Sequence, residues 1–169
     1  MKSILSAHNK QILNETNEQY ECNCRRKNEC PLDNKCLTPK IVYGAEVTNN
    51  IDEETKKYIG MAETPFKDRY RNHIKDFKNK KYNKSTELSK YIWQLKDNNK
   101  VRTVKWRIIK TVRSNVTLNY CKLCLMEKYY IINSLGDKNL LNNRYEFVSK
   151  CRHKNKLLIK SVKAREGVG

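Results

Sequence analysis

Strand-like and helix-like hydrophobic patterns alternate along the chain from Lys40 onward. The segment KIVYGAEV at 40–47 is rich in β-branched and aromatic residues, which favour a strand, and TNNIDEE at 48–54 has the composition of a turn. TKKYIGMA at 55–62 would then be the returning strand, so the pattern predicts a β-hairpin.

Two amphipathic helices are predicted after the hairpin. Thr64 followed by Pro65 is typical of an N-cap and a first helical residue, and Ser85 is a second candidate N-cap. The apolar residues behind each cap recur at helical spacing, which predicts one buried face per helix. These residues are Phe66, Tyr70, Ile74 and Phe77 in the first helix, and Leu88, Tyr91, Ile92 and Leu95 in the second.

A third strand and a third helix are predicted further on. TVKWRIIKTV at 103–112 alternates between apolar and basic residues, as in a half-buried strand, and a helix is expected from Asn119 to near Gly136. The order β-β-α-α-β-α, with one more element, predicts a small α/β (α+β) fold in which helices flank a mostly antiparallel, three-stranded central sheet. We expect a linker or short helix at 1–19, a cysteine-rich segment at 20–38, the main domain at 39–149 and a basic tail at 150–169.

The charge of the chain changes the functional picture. Lys and Arg number 36 against 18 Asp and Glu, so the net charge is +18 and a polyanion is the expected partner. Nucleic acid comes first; an anionic membrane surface is the alternative, although no segment has the roughly 18 apolar residues of a membrane span. The first residues lack the apolar core of a secretory signal, so we expect a reducing, intracellular compartment, and for a nucleic-acid-binding protein the nucleus.

Basic residues concentrate in two places, after the first predicted helix and in the tail. We expect them to contact the nucleic-acid backbone, which gives salt-dependent affinity with little sequence preference. The alternative is a solvated charged surface. The candidate residues are Lys75, Lys78, Lys80, Lys81 and Lys84, followed by Arg152 and Lys154.

The segment CNCRRKNECPLDNKC predicts a structural zinc site. Cys22, Cys24, Cys30 and Cys36 lie within fifteen residues that contain too few large apolar side chains to form a core. In a reducing compartment, four such cysteines are typical of Zn²⁺ ligands, and metal binding then supplies the folding free energy. Free thiols or an oxidised cluster are the alternatives.

The remaining cysteines suggest a second zinc site. Cys121 and Cys124 form a C-x-x-C pair, and Cys151 is followed two residues later by His153. Together they supply four ligands, which would complete a second tetrahedral site. The alternative is that Cys124 is a small buried residue of the third helix.

The third chemical feature is the stretch KKYIGMAETPFKDRYRNHI at 56–74. Arg69 and His73 are four residues apart and therefore lie on one side of the predicted helix, downstream of Tyr58. Arginine suits the charge of a phosphoryl transition state, and a nearby histidine or tyrosine could manage the proton of an attacking water. A basic helix that binds phosphate without chemistry is the alternative.

A single acidic residue stands out in the third predicted helix. Glu127 follows Leu123 by four residues and precedes Tyr130 and Ile131 by three and four, which places it on the apolar face. A carboxylate there is costly unless it is paired or binds a metal, so an inward Glu127 suggests a Mg²⁺ ligand. The alternative is that Glu127 is exposed on a helix whose phase differs.

These motifs, in this order, resemble the GIY-YIG endonucleases. Tyr58-Ile59-Gly60 is the second signature literally, Ile41-Val42-Tyr43 is a weakened form of the first that keeps the tyrosine, and Arg69 and His73 follow in family order. Glu127 matches the metal-binding glutamate of the family. The segment LLNNRYE at 140–146 matches the part that carries its late asparagine, which we assign to Asn142, with Asn143 as the alternative.

The resemblance covers roughly residues 40–148 and implies that 39–149 is a GIY-YIG-like nuclease domain, which hydrolyses a DNA phosphodiester with one metal ion. It implies that Tyr43 or Tyr58 orients or activates the water, that Arg69 stabilises the pentavalent phosphate and that His73 assists proton transfer. It further implies that Glu127 holds Mg²⁺ or Mn²⁺ and that Asn142 supports the site.

Some details are closest to the endonuclease domain of Penelope-like retroelements: the cysteine-rich lead-in and the segments STELSKYIWQLK, CLMEK and KCRHKN. That resemblance implies nicking of target DNA to provide a 3′-hydroxyl for reverse transcription. It also implies two further partners, a reverse transcriptase domain in the same polyprotein and the element RNA. The competing hypotheses are a non-catalytic, zinc-containing nucleic-acid-binding module and an inactive domesticated copy.

Overall fold

A computed structural model describes residues 21–113 and 121–143 of the 169-residue chain. Within these residues the chain forms three strands and three α-helices, in the predicted order β-β-α-α-β-α. The elements are β1 (Ile41–Asn49), β2 (Thr55–Ala62), α1 (Phe66–Lys78), α2 (Glu87–Asp97), β3 (Arg102–Thr111) and α3 (Lys122–Ser134). The expected α+β class, with a small antiparallel sheet flanked by helices, is confirmed.

The sheet has the order β2-β1-β3, and β1 is antiparallel to both of its neighbours. The hairpin register pairs Tyr43 with Gly60 and Val42 with Met61. Because successive side chains of a strand point to opposite faces, Val42 and Tyr43 belong to different layers of the molecule.

The larger core lies on the face of the sheet that carries Tyr43. Helices α1 and α2 cover this face, and their apolar stripes meet the odd-numbered residues of β1 and the even-numbered residues of β2 and β3. The members that are less than 8% exposed are Leu32, Ile41, Tyr43, Ala45, Val47, Tyr58, Ala62, Phe66, Phe77, Leu88, Ile92 and Leu95. Leu32 belongs to the cysteine-rich segment, which therefore packs onto the main domain.

Helix α3 covers the opposite face. Its residues Leu123 and Ile131 are buried against Val42, Ile59 and Val112. The outer side of the helix is also apolar, since Leu125, Tyr129 and Ile132 are at least half exposed. The described helices are too short or too polar to span a membrane.

Both predicted N-caps are wrong by one residue. Thr64 is exposed, and α1 begins at Phe66 with Pro65 at the capping position. The first amides of this helix donate instead to carbonyls of the cysteine-rich segment: Phe66 to Thr38 over 3.1 Å and Lys67 to Cys36 over 2.8 Å. A distant part of the chain thus replaces the local side-chain cap.

In α2 the cap is Thr86 rather than Ser85. The Thr86 hydroxyl accepts a hydrogen bond from the Ser89 amide, whereas the Ser85 hydroxyl donates to Asp76 over 2.6 Å. Helix α3 begins at Lys122, where Cys121 takes the capping position, and not at Asn119, which lies outside the described residues.

Candidate active site and metal centre

Four of the predicted site residues converge on the face covered by α1. Tyr43 projects from the central strand, Tyr58 from β2, and Arg69 and His73 from α1, where they are one turn apart. The Tyr43 hydroxyl lies 2.7 Å from Nε2 of His73 and accepts a 3.1 Å hydrogen bond from Nε of Arg69. Tyr58 also interacts with the Arg69 guanidinium, by hydrogen bonding and by charge.

The guanidinium of Arg69 is a fixed positive charge in this cluster. Burial favours its neutral form, but Tyr43 and Tyr58 outweigh that effect and hold the pKa of Arg69 above its ordinary value. A charge held rigidly by two hydroxyls, on a side chain that is still partly exposed, is suited to an incoming phosphate.

His73 is neutral at physiological pH. It is almost fully buried, and burial together with the Arg69 charge lowers its pKa to about 3. Its Nδ1 atom is buried and has no hydrogen-bond partner among the described residues. A bare ring nitrogen is less costly in such a place than an unpaired N–H, so the geometry favours the tautomer with the proton on Nε2.

In that tautomer His73 and Arg69 both donate to the Tyr43 hydroxyl. Two donors on one phenolic oxygen stabilise negative charge on that oxygen. The O–H of Tyr43 is then directed away from both donors. The surrounding rings fix the cluster: the Trp106 ring centroid lies 5.3 Å from that of His73 and 5.9 Å from that of Tyr43. The alternation in TVKWRIIKTV places Trp106 on the opposite side of a half-buried strand from Lys105 and Arg107, but it does not indicate that Trp106 belongs to this site.

Gly60 is the residue that makes room for this arrangement. A Cβ atom at Gly60 would lie 2.6 Å from the Tyr43 hydroxyl oxygen and 2.7 Å from Cζ of the same ring. The phenol of Tyr43 therefore crosses β2 directly above the backbone of Gly60 on its way to α1. This close approach is a physical reason for glycine in the Tyr-Ile-Gly triplet.

Glu127 lies elsewhere in the fold. It is half-buried on α3 between Leu123 and Ile131, at a spacing of four residues on each side, so it lies on the sheet-facing side of the helix. Helix α3 covers the face of the sheet opposite to Tyr43. The four predicted residues described above therefore lie together on one face, and Glu127 lies on the other.

Asn142 is the sixth predicted residue, and its contacts are with the backbone of β2. Its side-chain oxygen accepts from the Ile59 amide over 2.7 Å, and its side-chain nitrogen donates to the Ile59 carbonyl over 2.8 Å. The preceding residues pair in parallel with Lys57, through Asn139 and Leu141. Asn142 thus extends this ladder along the outer edge of β2, beside Tyr58 and Gly60.

The first four cysteines form a second site. The sulfur atoms of Cys22, Cys24, Cys30 and Cys36 all lie within 4.8 Å of one another, and within the described ranges no other group of three or more Cys, His, Asp or Glu side chains is close enough to share an ion. The sulfur of Cys36 is 3.5 Å from that of Cys22 and 3.7 Å from that of Cys24.

These distances fit a tetrahedral zinc ion. With Zn–S bonds of about 2.3 Å, neighbouring sulfurs of a tetrahedron are about 3.8 Å apart, whereas a disulfide needs about 2.05 Å. The four cysteines are close enough to change one another's protonation. Burial raises the pKa of Cys36, the Cys22 side chain raises that of Cys24, and the Cys24 amide lowers that of Cys22 to about 7. The expected cluster is thus confirmed as four converging cysteines that could hold a metal ion such as zinc.

The cysteines of the proposed second zinc site are placed differently. The Cys121 sulfur accepts from the Cys124 amide at the start of α3, and the Cys124 sulfur is buried 3.9 Å from that of Met61. Cys151 and His153 lie outside the described residues. The second zinc site therefore stays a prediction, and the burial of Cys124 agrees with the packing alternative.

The predicted basic surface is exposed at each of its described positions, Lys75, Lys78, Lys80, Lys81 and Lys84. Two of these lysines lie near aromatic rings: the ammonium of Lys75 is 4.8 Å from the centre of the Tyr82 ring, and that of Lys80 is 6.0 Å from the centre of the Trp93 ring. Lys96, outside the predicted set, lies 4.1 Å from the centre of the Trp93 ring. Lys80 pairs with Asp97 over 3.3 Å. Arg152 and Lys154 lie outside the described residues.

Comparison of the chain with protein-family models, curated proteins and solved structures finds no match. The functional assignment therefore depends on the residues and their geometry.

Proposed function

We propose that this protein is a metal-dependent DNA endonuclease that hydrolyses one phosphodiester and leaves a 3′-hydroxyl. The observation that carries the proposal is the set of contacts made by Arg69. Its guanidinium interacts with two tyrosines, Tyr43 and Tyr58, and the Tyr43 hydroxyl is also hydrogen-bonded to His73. A rigid arginine beside a phenolic oxygen combines a phosphate clamp with a group able to take a proton from water.

In the proposed reaction, a water attacks phosphorus and the bond from phosphorus to the 3′ oxygen breaks. Tyr43 first gives up its own phenolic proton to water, which the donors Arg69 and His73 favour because they stabilise negative charge on the oxygen, and the phenolate then accepts a proton of the attacking water. The departing 3′ oxygen takes a proton from water, which leaves the 3′-hydroxyl. Arg69 also offsets the charge that develops on the phosphate oxygens. His73, neutral and donating through Nε2, orients the phenol without adding a second positive charge.

Glu127 is the proposed ligand of the catalytic ion. A carboxylate is the donor that Mg²⁺ and Mn²⁺ prefer, and Glu127 is a half-buried carboxylate on the sheet-facing side of α3. Such an ion would supply Lewis-acid chemistry to the phosphate. Because α3 and α1 lie on opposite faces of the sheet, the bound DNA backbone would have to reach both Arg69 and Glu127. With one protein carboxylate, the ion would take its other ligands from water and DNA.

The retroelement role is part of the same proposal. A nick that frees a 3′-hydroxyl would prime reverse transcription by a polymerase domain of the same polyprotein. The net charge of +18 supports a nucleic-acid substrate, and the lysines around Tyr82 and Trp93 are the proposed backbone contacts. Nuclear localisation follows from the same role.

The test is nicking of supercoiled plasmid with Mg²⁺ by the wild type and by Arg69→Ala, Glu127→Ala and Arg71→Ala. We expect the first two substitutions to abolish nicking. Arg71 is exposed on the same helix, and Arg71→Ala removes the same charge as Arg69→Ala. The Arg71→Ala protein should therefore cut like the wild type. Equal cleavage by the wild type and Glu127→Ala, or no cleavage by either of them, would overturn the catalytic proposal. DNA binding without cleavage would then favour the zinc-containing binding module.

A further inference from the structure

The cysteine cluster lies against the N-terminus of α1, the helix that carries Arg69 and His73. Its backbone supplies the acceptors for the first helical amides, through the carbonyls of Cys36 and Thr38. The link continues in the side chains, because the Lys67 ammonium donates to the Asn23 side chain over 2.5 Å.

We propose that a metal ion in the Cys22, Cys24, Cys30 and Cys36 cluster is the clamp that fixes the first turn of α1, and through it the position of Arg69. The clamp itself depends only on these contacts, whereas its consequence for DNA cleavage rests on the proposed function. Metal loading would then set whether the arginine is in place.

The local structure gives this segment few other means of holding the helix. Pro65 at the capping position offers no side-chain acceptor, and it makes no side-chain cap hydrogen bond. The cysteine-rich segment contains one buried apolar anchor, Leu32, and its only described regular element is a single 3-10 turn at Lys27–Glu29. A segment with so small a core depends on cross-links for its shape, and four thiolates on one ion provide them.

Arg69 lies within one turn of the clamped amides, three residues after Phe66 and two after Lys67. The Cys36 carbonyl holds Lys67, and Arg69 is two residues further along the same helix, so loosening of the first turn displaces the guanidinium from Tyr43. The metal would therefore act on the site by position, at a distance from the reacting atoms.

The first experiment compares the zinc-bound and metal-free full chain by amide hydrogen exchange and by NMR of the Arg69 Nε–H group. We expect exchange of the Phe66 and Lys67 amides to rise at least tenfold on zinc removal, and the protected Arg69 Nε–H signal to be lost. Amides of α2, such as that of Lys90, serve as the internal control and should change much less. Unchanged exchange at Phe66 and Lys67, or an equal rise in α1 and α2, would overturn the clamp.

A second experiment keeps the protein folded and uses the reciprocity of coupled equilibria. Arg71→Gly weakens α1, and Gln94→Gly weakens α2 by a similar amount, since both side chains are exposed in helix interiors. Competition with a zinc chelator should show zinc affinity three- to fivefold lower in Arg71→Gly and unchanged in Gln94→Gly. Equal affinities in the two variants would overturn the proposal. Neither experiment uses DNA cleavage, so failure of the nuclease proposal would leave the result intact.

Discussion

The Tyr43 hydroxyl oxygen lies 2.6 Å from the point where a Cβ atom of Gly60 would stand. The two residues face each other across the hairpin, and the phenol is held from its far side by Arg69 and His73. The ring therefore has no simple way to move aside.

Gly60→Ala should accordingly destabilise the fold by about 1–3 kcal/mol, the usual cost of overpacking a well-filled site. It should also displace the Tyr43 hydroxyl and so abolish plasmid nicking. The matched control is Gly44→Ala in the neighbouring strand, whose new Cβ meets the Ile109 and Arg107 side chains at 3.3 and 3.4 Å. Urea unfolding should show the smaller loss for Gly44→Ala; equal losses would contradict the close approach.

His73 should make the stability of the protein depend on pH. Its pKa in the folded state is about 3, against about 6.5 when unfolded, so the unfolded chain binds more protons between these values. Stability is then greatest above pH 6.5 and falls as the pH is lowered, by about 1.4 kcal/mol per pH unit.

Urea unfolding of zinc-saturated protein between pH 7 and 5 would measure this slope. His73→Phe should remove it, although the variant also loses the hydrogen bond to Tyr43 and starts from a lower stability. Parallel pH profiles for the wild type and His73→Phe would show that His73 is not the group responsible.

The pattern of apolar and polar residues predicted the strands and helices more successfully than it predicted the residues at which the helices begin. The hairpin and the stripe from Phe66 to Phe77 depend on local periodicity, and both appear as expected. The N-cap at Thr64 was wrong because the acceptors of α1 come from Cys36 and Thr38, about thirty residues upstream. No local rule contains that information.

The same distinction applies to the site. The spacing of Arg69 and His73 predicted that they share one side of a helix, which the structure shows. The spacing did not predict that His73 is buried. Its burial depends on packing against Trp106, which comes from β3, as well as against Phe77 of the same helix. The role of Gly60 likewise depends on strand register, since only the pairing with Tyr43 brings the phenol over it.

Asn142 should be necessary for the edge of β2. Asn142→Leu leaves both the amide and the carbonyl of Ile59 buried without that partner, which should cost about 2–4 kcal/mol. Asn142→Asp is the matched variant: when protonated, its carboxyl group can both accept from the amide and donate to the carbonyl. The stability deficit of Asn142→Asp should therefore shrink between pH 7 and 4, and that of Asn142→Leu should not. If the stability deficit of Asn142→Asp relative to the wild type is the same at pH 7 and pH 4, this role of Asn142 is contradicted.

The cysteine cluster predicts the metal content of the purified protein. One zinc per chain is expected from these four cysteines, and two if the second site forms. Cys36→Ser should remove one zinc and destabilise the fold, because metal binding contributes folding free energy. Cys124→Ala is the matched control and should keep that zinc. A folded wild-type protein free of metal would contradict the cluster, and elemental analysis with thermal unfolding measures both quantities.

The lysines around Tyr82 should determine how DNA binding depends on salt. Replacement of Lys75, Lys78, Lys81 and Lys84 by Gln removes up to four phosphate contacts, and each contact contributes about 0.9 to the slope of log affinity against log salt concentration. The slope measured by fluorescence anisotropy should therefore decrease by up to about 3.6, and nonspecific affinity should fall for all DNA sequences alike. Lys90→Gln with Lys100→Gln is the control, because these lysines pair with Glu87 and Asp52 and each change still removes one charge. If the control changes the slope as much per lysine, net charge alone attracts the DNA and the surface around Tyr82 has no special role.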